Sequence, residues 1–124
     1  MKGLILAAGR GSRLEHLTRD KPKCLMKVLG KSLLEWQLEA FHRSGIKDVT
    51  VITGYRANQI EKLGVKTIHN FNWEKTEILS SLLLADELLR DNNCIVSYGD
   101  IIYDYTAIST LSKDKGGITV SYDP

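Results

Sequence analysis

Directly after its first apolar run, Lys2 to Ala7, the chain enters a stretch from Ala8 to about Pro22 that is rich in Gly, Arg and Lys and follows neither a helical nor a strand period. A run that short, bounded by glycine and built on Leu and Ile, reads as a buried strand. Loops of the length that follows it usually carry function. Further along, apolar runs bounded by glycines alternate with segments of helical period, the pattern of βα units on a largely parallel sheet. The expected fold is therefore α/β: a Rossmann-like three-layer sandwich of five or so mostly parallel strands, with a ligand site across their carboxyl ends.

The first clear helix starts at Ser32, which can cap it while Glu35 reaches back as a capping box, and Leu34, Leu38 and Phe41 share one face. Gly45 ends it as a C′ residue. Val49 to Thr53 reads as a β-branched strand, Ala57 to Leu63 as a short helix and Val65 to His69 as another strand. Ile78, Leu82, Ala85 and Leu89 repeat at helical spacing, which predicts one long helix from Ile78 to Arg90 packed on the sheet. Cys94 to Tyr98 is then a buried strand, Thr106 to Ser112 a weaker helix and Ile118 to Tyr122 a last strand.

With 124 residues, 43% of them hydrophobic and 26% charged, the chain has the balance of one soluble globular domain, residues 1–124, and no more than one. The N-terminal apolar run is far too short to cross a bilayer and no separate cleavable segment precedes it, so a cytoplasmic location is expected. Cys24 and Cys94 form no CxxC pair and have no histidine at ligand spacing; two buried thiols are expected, without zinc or disulfide. Although the net charge is only +2, residues 1–31 hold eight Lys/Arg against two Asp/Glu. Either an anionic ligand binds near the N-terminus or this is a solvated basic face.

Glycines at the carboxyl end of a first parallel strand let backbone N–H groups approach phosphate oxygens, and Gly9 and Gly11 are placed for that. A dinucleotide fingerprint would need a third glycine where Leu14 stands, which argues against hydride transfer. Gly30-Lys31-Ser32 imitates the end of a Walker A loop, but Leu25 occupies the required first glycine. Ser32 is better explained as a helix cap and Lys31 as a surface turn residue.

The remaining motif is Leu6-Ala7-Ala8-Gly9-Arg10-Gly11-Ser12-Arg13, followed by Lys23 in Lys21-Pro22-Lys23. It resembles the nucleotidyltransferase superfamily that makes activated sugars and activated alcohols, whose members carry Leu-Ala-Ala-Gly-x-Gly-[Ser/Thr]-Arg and then Pro-Lys at this distance. The resemblance implies that the Ala7-Ala8-Gly9 backbone contacts base and ribose while Arg13 and Lys23 hold the triphosphate, with Leu6, Gly11 and Ser12 as further nucleotide-binding candidates. Displacement at the α-phosphorus needs positive charge on both the attacked and the leaving phosphoryl oxygens. Lys23 suits the α-phosphate, and the Arg13 fork, which takes two oxygens at once, suits the leaving pyrophosphate. Arg10 and Lys21 are further candidates.

Asp100, after Gly99 at the end of the Cys94 to Tyr98 strand, stands where the family keeps a magnesium-binding aspartate. The cofactor this implies is Mg2+, with Asp100 as its protein ligand. The family's second metal aspartate belongs to a later strand, and Asp104, Asp114 and Asp123 match it poorly. The resemblance covers the whole chain but about the N-terminal half of a typical member, so a fragment is one expectation. An α/β sheet cut there exposes apolar surface, which makes homo-oligomerisation another.

Asn70, Trp73, Thr76 and Ser81-Leu82 look like the branch that transfers cytidylyl groups to phosphocholine, 2-aminoethylphosphonate or similar acceptors, although Glu77 stands where that branch commonly has Asn. Thr76 and Ser81 are candidate base or ribose contacts, with helix capping the competing account for Thr76. The Val51-Ile52-Thr53-Gly54-Tyr55 stretch also resembles the family, which would place Gly54-Tyr55 at a strand end beside the nucleotide, with Tyr55 serving packing or binding. His16, His42 and His69 show no metal spacing, and an acceptor phosphate, already anionic, needs no histidine base. The partners expected are a nucleoside triphosphate, CTP favoured, and a phosphorylated small-molecule acceptor, with neither nucleic acid nor membrane. The alternatives are a sugar-1-phosphate nucleotidyltransferase using UTP, dTTP or GTP, and a non-catalytic nucleotide-binding module.

Overall fold

The computed structural model describes residues 1–10, 19–75 and 78–114. Its centre is a four-stranded sheet in the order β5-β4-β1-β6, all neighbours parallel, made of β1 (Lys2–Ala7), β4 (Val49–Thr53), β5 (Lys66–His69) and β6 (Cys94–Tyr98). Ile5 pairs with Val51 on one side and Ser97 on the other, so β1 is the central strand from which the chain moves out to β5 before crossing back to β6. That reversal of direction opens a crevice between the carboxyl ends of β1 and β6, the place where open α/β sheets receive ligands.

Alternation along β1 divides the interior into two cores. Ile5 and Ala7 join Leu34, Phe41, Ile60, Ile95 and Ile108, under α1 (Leu33–Arg43), α2 (Ala57–Glu61) and α5 (Tyr105–Ser112). Leu4, Leu6 and Ala8 join Ile52 and Ala85 on the opposite face, under α3 (Ile78–Leu83) and α4 (Asp86–Asp91). The result is the three-layer α/β arrangement expected. Leu34 and Phe41 are completely buried, each a burial that stabilises by about 1.5–3 kcal/mol.

α1 has the termini its sequence announces. The Ser32 hydroxyl accepts from Glu35 N at 3.1 Å and the Glu35 carboxylate reaches back to Ser32, completing the capping box. Gly45 adopts φ +84° just past the C-cap Ser44, the left-handed conformation in which a Cβ is costly.

Four expectations are corrected. The single helix over 78–90 is two helices meeting at Ala85, whose φ of −98° and ψ of 21° leave the helical region. Asp86 and Glu87 begin the second helix, where acidic side chains complement the N-terminal dipole. Of the four residues assigned to core, Ala85 is buried and Leu82 and Leu89 half-buried, but Ile78 is 52% exposed. Lys31 is not a turn residue: it pairs with Val28 in a hairpin of β2 (Lys27–Val28) and β3 (Lys31–Ser32), turned through Leu29 and Gly30, both at positive φ. Cys94 is half-buried, because it sits at the start of β6, the outermost strand among the described residues, while Cys24 is buried as expected. The strand expected over 118–122 lies outside the described residues.

Candidate active site at the sheet's carboxyl ends

A cavity of about 250 Å³ occupies the crevice between β1 and β6. Leu6, Ala7, Ala8 and Gly9 form its floor as β1 runs out, and Tyr98, Gly99 and Asp100 form one wall as β6 ends. Lys23 and Cys24 close it from a single 3-10 turn, Lys23–Leu25, that Pro22 starts with an extended backbone. Trp73, Ile78 and Ser81 form the facing wall.

Lys23 and Asp100 meet across the opening, Nζ to Oδ2 at 3.2 Å, with side chains 32% and 48% exposed. Seventy-seven positions separate them in sequence. The pair joins a cation able to hold phosphate to a carboxylate able to hold a hard metal ion. Cys24, beside them, is no nucleophile: burial pushes its thiol up to about 12, so it stays protonated.

The facing wall is set by a buried amide. Asn70, at the end of β5, donates Nδ2–H to Ser81 Oγ at 3.0 Å, and its Oδ1 accepts from Asn72 N at 3.0 Å, tying the loop that carries Trp73 to α3. Trp73 meets Tyr55 edge to face, ring centroids 5.3 Å apart. Gly54 makes this possible, since a Cβ there would lie 2.5 Å from both Ala8 O and Trp73 Cβ. Tyr55 itself is buried, donates its hydroxyl to Arg19 O at 2.7 Å and lies under the Arg10 guanidinium, contacts that pack the ring and anchor the chain at Arg19.

Of the residues singled out from sequence, Leu6, Ala7, Ala8, Gly9, Lys23, Trp73, Ser81 and Asp100 are therefore brought to one cavity. Gly54 stands behind the wall instead of in it. Gly11, Ser12, Arg13 and Thr76 lie outside the described residues. Motif reading left out Cys24, Ile78 and Tyr98, whose neighbours in the cavity come from remote parts of the chain.

The close approach of the two strand ends has a testable consequence. Gly99 N donates to Leu6 O at 2.8 Å, and a Cβ on Gly99 would meet that oxygen at 2.9 Å and Ala7 Cβ at 3.0 Å. Gly99→Ala is expected to push the Asp100 turn away from β1, destabilising the fold by about 1–3 kcal/mol. Thermal melting reads the loss, and a variant with an unchanged melting temperature would show that the strand ends separate at no cost.

The profile of the MobA-like NTP transferase domain matches residues 3–118. The chain is 29% identical to the CTP:phosphoglutamine cytidylyltransferase of Campylobacter jejuni, over 99% of its own length and 53% of the relative's. It is 38% identical to the choline-phosphate cytidylyltransferase of Streptococcus pneumoniae, covering 77% of this chain and 43% of that one. A solved structure of CTP:phosphocholine cytidylyltransferase from the same organism superposes with a TM-score of 0.75, over 80% of this chain and 44% of the other. Mannose-1-phosphate guanylyltransferase catalytic subunit beta of Dictyostelium discoideum is 32% identical over 94% of this chain and 36% of the relative. The chain thus spans about half the length, or less, of the curated relatives it matches.

Proposed function

The chain belongs to the MobA-like NTP transferase domain family, and from that premise we propose that it moves a nucleotidyl group, cytidylyl from CTP by preference, onto a phosphorylated alcohol or phosphonate with release of pyrophosphate. The observation that carries this is the meeting of Lys23 and Asp100 at 3.2 Å over the crevice between β1 and β6. A phosphoryl-transfer site needs one positive group on the attacked phosphate and one carboxylate for a metal ion, and both stand at the end of a floor of strand backbone.

The donor set suits Mg2+. Among the described residues no three His, Cys, Asp or Glu side chains cluster as a self-sufficient metal site. Asp100 is a single, half-exposed carboxylate, and magnesium is commonly held by one or two carboxylates together with substrate phosphates and water. Bound there, the ion would neutralise charge on the triphosphate oxygens.

Lys23, which meets Asp100 at 3.2 Å, would take phosphate oxygens in its place when substrate binds, leaving the Asp100 carboxylate able to hold the metal ion. The buried backbone of Leu6 to Ala8 and the Ser81 hydroxyl orient base and ribose. An oxygen of the acceptor phosphate or phosphonate bonds to the α-phosphorus, the bond to the bridging oxygen breaks, and its electron pair leaves with pyrophosphate. Lys23 stabilises the charge that develops on the α-phosphoryl oxygens. No covalent intermediate on the protein is involved.

CTP is favoured because two of the relatives above are described as cytidylyltransferases. The test is pyrophosphate release from CTP, UTP, dTTP and GTP, each with phosphocholine, 2-aminoethylphosphonate and hexose 1-phosphates. CTP with a phospho-alcohol or phosphonate should be the fastest combination, by about tenfold or more, since a site that hydrogen-bonds one base leaves polar groups unpaired with another. A faster rate with UTP or GTP and a hexose phosphate would overturn the acceptor and base assignment. Magnesium-dependent nucleotide binding without any turnover would instead identify a binding module.

A further inference from the structure

Gln37 occupies a position on α1 where a leucine would satisfy the helix, between Leu34 and Phe41 on the face that packs against the sheet. Its side chain is completely buried, yet it is an amide. Burying an amide is unfavourable unless its hydrogen bonds are met, and here they are met in a particular way. Nε2 donates to Tyr98 O at 2.7 Å and to Ile101 O at 2.6 Å. Oε1 accepts from Ser97 Oγ at 3.2 Å, and Ser97 Oγ in turn accepts from Tyr103 OH at 2.8 Å. Burial pushes the Tyr103 phenol up, so it remains a hydroxyl donor. The amide's orientation follows from its neighbours: only an NH2 can satisfy two carbonyl oxygens.

The two carbonyls that Gln37 grips bracket Gly99 and Asp100. One side chain on α1 therefore holds both ends of the turn that carries the Asp100 carboxylate. We propose that Gln37 is a positioning residue for the metal-bound triphosphate, acting through the backbone on either side of Asp100. It touches neither nucleotide nor metal. Side chains that hold a metal ligand in place commonly matter about 10–100-fold to metal affinity, whereas a residue needed only for packing would affect stability without separating metal-dependent from metal-free binding.

The inference rests on the proposed role of Asp100 as metal ligand, and the experiment separates the two. CTP binding is followed by Trp73 fluorescence and calorimetry, once in EDTA and once as a Mg2+ titration, with Mn2+ paramagnetic resonance as a direct count of bound metal. Gln37→Met keeps the volume and removes the donors. Its half-saturating metal concentration in the presence of CTP should rise about tenfold or more, while CTP binding in EDTA changes less than about twofold. If Gln37→Met does not fold, Ser97→Ala removes the hydroxyl that orients the amide with almost no loss of packing, and a metal shift of about threefold is expected as a fraction of the same effect. An unchanged metal titration in the folded variant, or equal weakening with and without metal, overturns the proposal. Asp100→Asn supplies the control. If it leaves metal dependence intact, the assignment of Asp100 itself is wrong; if it abolishes metal dependence while the Gln37 variant does not move it, only the positioning role fails.

Discussion

Lys23→Ala is expected to lower kcat/KM for pyrophosphate release by a factor on the order of 10³, with the melting temperature moving by only a few degrees. The asymmetry comes from what Lys23 does in each state. In the free protein its ammonium meets Asp100 at 3.2 Å, half in solvent, and ion pairs of that exposure contribute about 0–1 kcal/mol to stability. In the proposed transition state the same ammonium would face charge gathering on phosphoryl oxygens inside the cavity, where one lost charge costs several times as much. Lys23→Met, which keeps the stem, separates charge from packing and should lose nearly as much. CTP binding in EDTA should weaken too, because the phosphate loses its cation. An activity loss of less than about tenfold in a variant that binds nucleotide normally would remove Lys23 from the reacting phosphate.

Asp100→Asn should act with the opposite sign on binding and the same sign on rate. Turnover should drop by about 10²–10³-fold and raising Mg2+ should not restore it, because an amide is a poor ligand for a hard cation. In EDTA, however, the variant should bind CTP at least as tightly as the parent. Removing a carboxylate from beside a triphosphate relieves like-charge repulsion, and Lys23 is freed from its ion pair at the same time. Calorimetry with and without metal reads the two arms. Weaker binding in EDTA together with intact metal dependence would show that Asp100 supports the cavity without serving as a ligand.

Much of the scaffold could be read before any coordinate was known, and the reasons are local. The capping box of Ser32 and Glu35 and the positive φ of Gly45 depend on residues within a few positions of one another, and both are found as expected. The Leu6 to Gly9 segment reaches the cavity because a strand followed at once by glycine leaves its last backbone groups at the carboxyl edge of the sheet. Where local reading failed, two arrangements satisfied the same pattern. The spacing of Ile78, Leu82, Ala85 and Leu89 is met by one helix or by two joined at Ala85; the buried bond from Asn70 to Ser81 and the placement of Ile78 on the cavity accompany the broken form.

By itself, then, the order of residues determined the two periodicities that make strands and helices, the caps that bound α1, and the glycine-bearing, basic segment that follows β1. All of these are set by interactions over a handful of positions, where chain geometry leaves few choices. Tertiary structure alone decided that β6 lies beside β1, and with it that Lys23 meets Asp100 and that Gln37 grips the turn between Tyr98 and Ile101. Such contacts join positions sixty to eighty apart. They arise only when two apolar faces of one sheet are covered at once, a condition on the whole chain that no short stretch of it records.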